Sequence, residues 1–444
     1  MNRYGQRLVK AGMSPDEAAA KCDLFEQAAR ALPGTSTPDS LRAFFVPGRV
    51  EVLGKHTDYA GGRSLLCAVE RGFCLVARAR QDAQVHIVNA RTHARCRMAM
   101  DPDLHPAARG WSNYPGVAVR RLARNFPSST RGADLAFVSD LPAASGMSSS
   151  SAFIVAVFLA LANINALAES APYRREIHNL EDLAGYLGTV ENGAAFGKLA
   201  GDRGVGTFGG SEDHTAILCS RAGELRQYRF CPIRHERSVP LPAAYVLTIG
   251  VSGVIAMKTG TARLMYNRAS LATREILGLW NSATGRTDPT LEAAANHSLE
   301  APDRIRAVLR AAADSGLTAR TLSDRFEQFL QESTRIIPAA TDALATGDMT
   351  RFGALVDASQ QGAETLLGNQ VPETIALARS ARSLGAVAAS AFGAGFGGSV
   401  WALVPAAVAE EFESRWAASY RNEFPGRKNA CFFSTRPGPP ALRL

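Results

Sequence analysis

Apolar and polar residues repeat with two different periods along this chain, and the changes of period mark its elements. Residues 8–32 repeat with helical spacing, and Ser14-Pro15 opens the second part of that helix. Val50, Val52 and Leu53 read as a strand, as do the runs 72–77, 85–88 and 134–138. An apolar run from Ala152 to about Leu167 predicts a helix. Residues 216–219 and 225–231 read as short strands, 232–242 as a polar, broken junction between domains, and 245–249 as a further strand. From 259 to 384 the period is mainly helical. Residues 386–404 read as strand, glycine turn, strand, and the closing run Arg436-Pro437-Gly438-Pro439-Pro440 reads as a tail. No internal repeat interrupts this order. Strands interleaved with helices in both halves predict an α+β protein of two domains, 1–235 and 236–444.

Length agrees, since 444 residues exceed one ordinary core. Apolar content of 46% and charged content of 20% are those of a soluble globular chain. No apolar run reaches the ~18–20 residues that span a bilayer, and the start of the chain leads into a polar helical pattern, so neither a membrane nor secretion is expected. The formal net charge is +8, but the basic residues are spread out; Arg120, Arg121 and Arg124 form a short amphipathic run. Nucleic acid is therefore not an expected partner, whereas anionic small molecules are compatible with the charge. Seven cysteines without a CxxC pair argue against a disulfide framework or a zinc site, and for reduced thiols in the cytoplasm.

Three segments carry chemistry. The first, Pro47 to Tyr59, crowds Arg49, His56 and Asp58 between turn formers; a solvated loop accounts for it equally well on its own, and two glycine-rich segments further on shift the balance. In the second, small residues from Pro142 to Ala152 separate a strand from a helix. Backbone N–H groups can converge on an anion there, and the helix adds its positive end, roughly +0.5 charge. Four consecutive serines, Ser148, Ser149, Ser150 and Ser151, exceed what capping needs and can bind phosphate oxygens or ligate Mg²⁺. No Gly-Lys-Ser/Thr follows, and no His-Arg-Asp segment occurs, which excludes a Walker loop and a protein-kinase loop. The third segment, Gly393 to Ser399, holds four glycines in six residues; a strand follows it where a Rossmann motif needs a helix.

In this order and at these positions, the three segments resemble the GHMP kinase superfamily, and galactokinases in particular. Gly48-Arg49-Val50-Glu51-Val52-Leu53-Gly54-Lys55-His56-Thr57-Asp58-Tyr59-Ala60-Gly61-Gly62 is similar to the signature GRxNLIGEHTDYNGG. The serine segment resembles PxGAGLSSSAS, and the third segment TGAGFGG. Trp111 to Val117 resembles WANYVKGV, one residue shorter, and Met265-Tyr266-Asn267 resembles a YN segment of the second domain. The matches run from about residue 44 to residue 404. The resemblance implies a two-domain fold with the site in the cleft between domains, and phosphoryl transfer from MgATP to the anomeric hydroxyl of a sugar, galactose first. It implies that Ser145, Gly146, Met147 and Ser148 to Ser151, with Trp111, hold the nucleotide. Ser149 and Glu191 are the implied Mg²⁺ ligands. Asp213 is the implied catalytic acid-base group, in a segment similar to GxxxGxxDQ, and Arg49 its partner. Lys55, His56, Asp58, Gly210 and Tyr266 are the implied sugar contacts. A monomer or weak homodimer is expected.

Four departures set this chain apart. Lys55 stands for a Glu of the signature, Glu51 for an Asn, and His214 for a Gln; Gly193 to Gly204 reads as an insertion, leaving Glu191 and Asp213 22 positions apart. A lysine at position 55 suggests a uronic acid as an alternative acceptor, and arabinose is another. A sensor that binds sugar and ATP without turnover is the alternative from a different class.

Overall fold

Among the residues that the computed structural model describes (2–32, 41–105, 110–143, 145–254, 260–311 and 317–444), strands form two sheets. Ala144 of the serine segment, and residues 259 and 312–316 of the predicted helical stretch, lie outside them. The strands are β1 (Arg42–Leu53), β2 (Arg63–Ala79), β3 (Gln84–Asn89), β4 (Arg95–Ala99), β5 (Ala133–Ser139), β6 (Glu224–Arg229), β7 (Arg234–Pro240), β8 (Tyr245–Val251), β9 (Ala388–Phe392), β10 (Ser399–Pro405), β11 (Cys431–Thr435) and β12 (Leu442–Arg443). The first sheet runs β12-β1-β2-β5-β3-β4, with β6 added to β2 and β7 to β6. The second runs β11-β8-β10-β9. Helices fill the second half from Gly260–Thr284 to Ala409–Glu423, so the α+β reading in two domains holds.

The helix Ser149–Ile164 is apolar on all its faces, and a helix of that kind belongs inside. It packs on β1 and β2 and against the helices Asn113–Asn125, Leu180–Asn192 and Glu212–Cys219. Its residues Phe153, Val155, Val157 and Leu161 join the main core, which continues into β8 and β10 through Ile249 and Trp401. The phosphate-binding candidate is thus the N-terminal end of a deeply seated helix. Each aliphatic side chain buried along it contributes about 1.5–3 kcal/mol, which fixes that end in place.

Three sequence expectations are corrected here. Residues 216–219 belong to the helix Glu212–Cys219, not to a strand. Four apolar residues carry no readable period, and here every one is buried between neighbouring helices. The stretch read as a polar domain junction contains β7, a polar edge strand paired only with β6. The boundary placed after residue 235 therefore falls inside a strand of the first sheet. The supposed tail is structural: Gly438 N–H donates to Ala68 O (2.9 Å), and β12 pairs with β1 at Phe44 and Phe45.

β1 delivers the candidate site, and the turn after it is clamped by the second half of the chain. Gly54 N–H donates to Glu332 Oε1 (2.9 Å), Gln328 Nε2 to Lys55 O (3.1 Å), and Arg325 to His56 O. Arg63, at the start of β2, is ion-paired with Glu292 (3.0 Å). No helix among the described residues is long and apolar enough to cross a membrane.

Candidate active site

Arg49 and Glu51 lie two residues apart on β1 and line one cavity, while Val50 and Val52 between and beyond them are in the core. Register shifts on both sides of this pair, at Pro47/Arg49 and Glu51/Leu53, bend the strand and aim its polar face. The cavity has a volume of about 340 Å³. Its lining includes His56, Asp58, Gly210, Asp213 and Tyr266. Ser145, Gly146, Ser148, Ser149, Ser150 and Glu191 line it too.

Arg49 joins Asp213 to the serine turn. Its Nε and Nη2 donate to Asp213 Oδ1 at 2.8 and 2.7 Å, and its Nη1 donates to Gly146 O at 2.6 Å. Burial works against the guanidinium charge, but Asp213, Glu51 and Glu212 outweigh it and hold the Arg49 pKa above its ordinary value. Asp213 sits in the first turn of its helix, where the helix dipole favours an anion. Ser151 Oγ lies beneath the floor and donates to Glu191 Oε2 (2.6 Å), with Asp213 Oδ2 3.2 Å away. Two carboxylates from separate helices are thereby held at one spot.

The serine turn has the features of an anion cradle. Ser148 caps the central helix in the left-handed region (φ 58°), and Gly146 has φ 78°. Ser145 Oγ and Ser148 Oγ are buried and meet no partner among the described residues, which is unusual for buried hydroxyls and fits a ligand that supplies oxygens. The second glycine loop braces the turn from behind: Ser399 Oγ donates to Ser145 O (2.6 Å), and a Cβ on Gly393 would stand 2.7 Å from Gly146 O. Close backbone approach, expected for those glycines, is what the structure has there.

His56 Nε2 is 3.1 Å from Ala394 O, its Nδ1 is 3.0 Å from Tyr59 Oη, and its ring lies 5.2 Å from that of Tyr266. Burial, reinforced by Asp58 and Asp213, pushes the Tyr266 hydroxyl well above its ordinary pKa, so it stays a neutral donor. Asp58 Oδ2 accepts from Glu212 N–H (3.0 Å), and a Cβ on Gly210 would lie 2.2 Å from the same oxygen. Asn267 donates to Gly206 O (3.2 Å) and accepts from Phe208 N–H (3.0 Å), tying the loop before Asp213 to the helix that carries Tyr266.

Four predicted contacts lie off the cavity. Met147 is fully buried in the core, and its carbonyl accepts from Arg49 N–H (3.3 Å). Trp111 packs on Phe137 and Phe153, with ring centroids 5.9 and 6.0 Å away, rather than facing the cleft. Ser151 reaches the cavity only through Glu191 and Asp213. Lys55, 1% exposed, points into the second half of the chain, where its ammonium donates to Ser359 Oγ (3.0 Å) and Ser390 Oγ (2.8 Å). It is not placed to meet a sugar carboxylate, and the uronic acid alternative loses the observation that suggested it. The charge of Lys55 favours the ionised form of Glu51, and Ser359 in turn donates to Glu332 (2.9 Å). Replacing Lys55 by Met therefore costs about 1–3 kcal/mol of stability, the size expected for leaving buried polar partners unpaired. Urea denaturation reads that loss; a change below about 1 kcal/mol contradicts the buried role.

The insertion also has a place. Ala194 O accepts from Arg121 (2.6 Å), Ala200 O from Asn125 (3.2 Å) and Gly201 O from Arg124 (3.2 Å), while Asp202 pairs with Arg120 (2.7 Å). The loop folds outward onto the helix Asn113–Asn125 and returns where Val205 N–H donates to Glu191 O (2.8 Å). Glu191 and Asp213 thus meet despite their distance in sequence. Glu212, on the cavity wall with Ser64 Oγ donating to its Oε2 (2.6 Å), was not legible beforehand; its only sequence signal is its place beside Asp213.

Comparison with known proteins places the chain among sugar kinases. Residues 33–79 match the family described as galactokinase galactose-binding signature, 113–199 the GHMP kinases N terminal domain, and 340–422 the GHMP kinases C terminal family. The chain is 30% identical to a galactokinase of Chloroflexus aurantiacus over 379 residues, covering 84% of this chain and 86% of that one. A galactokinase of Chloroflexus aggregans is 28% identical over 379 residues, with the same coverage of 84% and 86%. Among solved structures, Lactococcus lactis galactokinase complexed with galactose superposes with a TM-score of 0.77 at 22% identity, covering 96% of this chain and 100% of that one. Mevalonate kinase of L. major in complex with R-mevalonate gives 0.53 at 15% identity, covering 91% and 99%.

Proposed function

The chain belongs to the galactokinase family of GHMP kinases, and we propose that it transfers the γ-phosphoryl group of ATP to the anomeric hydroxyl of galactose. The observation that carries this reading is Arg49, bonded at once to Asp213 and to Gly146 of the serine turn. In that position the Asp213 carboxylate accepts or orients the proton of the attacking hydroxyl. Arg49 stabilises charge on the moving phosphoryl group. Backbone amides of the serine turn and the helix end hold the phosphates. His56, Asp58 and Tyr266 line the acceptor side. Glu191 and the hydroxyls of Ser149 and Ser150 offer the hard oxygen donors that Mg²⁺ takes, and the ion when bound neutralises phosphate charge. An assembled acid-base pair also favours turnover over the sensor alternative.

The test is ADP release with galactose, arabinose, galacturonate and glucuronate as acceptors. Galactose is expected to give the highest kcat/KM and the uronates the lowest. Saturable sugar binding with no ADP from any acceptor would sink the kinase reading and leave the sensor.

A further inference from the structure

One carboxylate outside the cavity is buried more deeply than the two acids it stands between in sequence. The Asp202 side chain, in the inserted stretch, is 3% exposed, against 7% for Glu191 and 18% for Asp213. It faces two arginines of the helix Asn113–Asn125. Arg120 Nε donates to its Oδ2 (2.7 Å), and the fully buried Arg121 holds Nη1 3.6 Å from its Oδ1. That Nη1 makes no hydrogen bond among the described residues, so Asp202 answers its charge through space. Burial lowers the Arg121 pKa, and Tyr186 and Asp202 act against it.

The same residue is tied to the end of the helix that carries Glu191. Asp202 N–H donates to Gly193 O (2.9 Å), directly after the helix Leu180–Asn192, and its Oδ1 accepts from Gly204 N–H (2.8 Å). Gly204 is in the left-handed region (φ 51°), and a Cβ there would collide with Glu191 O. Next to Glu191, Asn192 Nδ2 donates to Gly209 O (2.8 Å), in the segment that leads to Asp213. Each of the two helices that Asp202 joins reaches the cavity at one end. Asn113 and Tyr114 line it from one, Glu191 and Asn192 from the other.

We propose that Asp202 is a positioning residue: by pinning the inserted loop to Arg120 and Arg121, it fixes the end of the helix on which Glu191 stands and so aims that carboxylate at the Mg²⁺ that accompanies the nucleotide. The inference rests on the sugar-kinase reading above and deepens it. Asp202 is not on the cavity wall, so its effect passes through the backbone of residues 191–193. A carboxylate that ligates a cation depends on the groups that orient it. Without the Asp202 charge, two guanidiniums are left buried with no carboxylate between them, which drives the loop off the helix Asn113–Asn125. The end of the Glu191 helix then loses its brace.

Asp202→Asn and Arg120→Gln in the full chain test this, one from each end of the ion pair. ADP affinity is measured by calorimetry with and without Mg²⁺, the KM for ATP and for galactose by steady-state kinetics, and folding by Tm. In both variants the gain in ADP affinity that Mg²⁺ brings is expected to fall about 10-fold, with the KM for ATP rising by a similar factor and the KM for galactose within about twofold. Most of kcat is expected to return at saturating Mg²⁺. Unchanged ADP affinity with Mg²⁺ in a folded variant overturns the proposal. So does an equal loss of ADP affinity with and without Mg²⁺, or an equal rise of both KM values, which marks a structural role. If Asp202→Asn does not fold, Arg120→Gln, which leaves Asp202 to Arg121, is read by the same criteria. Absence of ADP release from the unmodified enzyme with every sugar is a different failure, because it removes the kinase reading itself and this inference with it.

Discussion

Asp213→Asn lowers kcat about 10²–10⁴-fold, the contribution of a positioned general base, and leaves ATP binding within about threefold. The substitution is clean because of the hydrogen bonds around it. Arg49 gives Nε and Nη2 to the same oxygen, Oδ1, so an amide oxygen there can still accept both. On the other side stands Ser151 Oγ, 3.2 Å from Oδ2. That hydroxyl already donates to Glu191, so it can accept from an amide nitrogen. The cavity keeps its shape and loses only the capacity to take a proton. Steady-state kinetics with ATP titration by fluorescence checks both halves. An unchanged kcat would refute the role of Asp213, and a collapse of ATP affinity would mean that the carboxylate serves the nucleotide instead.

Arg49→Lys lowers kcat/KM about 10²–10³-fold, the range for removing a preorganised charge from a transition state. A lysine keeps the charge but not the fork. The three bonds from Arg49 reach an acid in one helix and the carbonyl of Gly146 in the serine turn. One ammonium cannot hold both, so the acceptor and donor halves of the site lose their common reference. The guanidinium is also buried, and a lysine there is desolvated with fewer partners. Urea denaturation measured alongside separates a chemical defect from an unfolded fraction. Near-native kcat/KM in a folded Arg49→Lys enzyme would show that point charge alone suffices.

Much of this site was legible in the chain because short-range chemistry marks it. Turn formers around Arg49, His56 and Asp58, and serines piled at one helix start, are local patterns with local causes. The central helix announced itself by being apolar all round. What stayed hidden depends on contacts between segments far apart. Lys55 sits in the signature, yet its direction is set by Ser359 and Ser390, more than 300 positions away. Trp111 reads as a candidate for the nucleotide until Phe137 and Phe153 claim its ring. β7 was passed over because an edge strand can be as polar as a loop, and the last residues because pairing with β1 needs no apolar pattern of its own.

The central claim is that Asp213 and Arg49 direct the phosphoryl group of ATP to one hydroxyl of one sugar. It is tested most directly by carbon NMR of the product formed from galactose labelled with ¹³C at C1. The account predicts that the C1 resonance becomes split by coupling to phosphorus, with one ADP released per sugar consumed. A product phosphorylated at another carbon, or ADP formed while C1 stays unsplit, would contradict it.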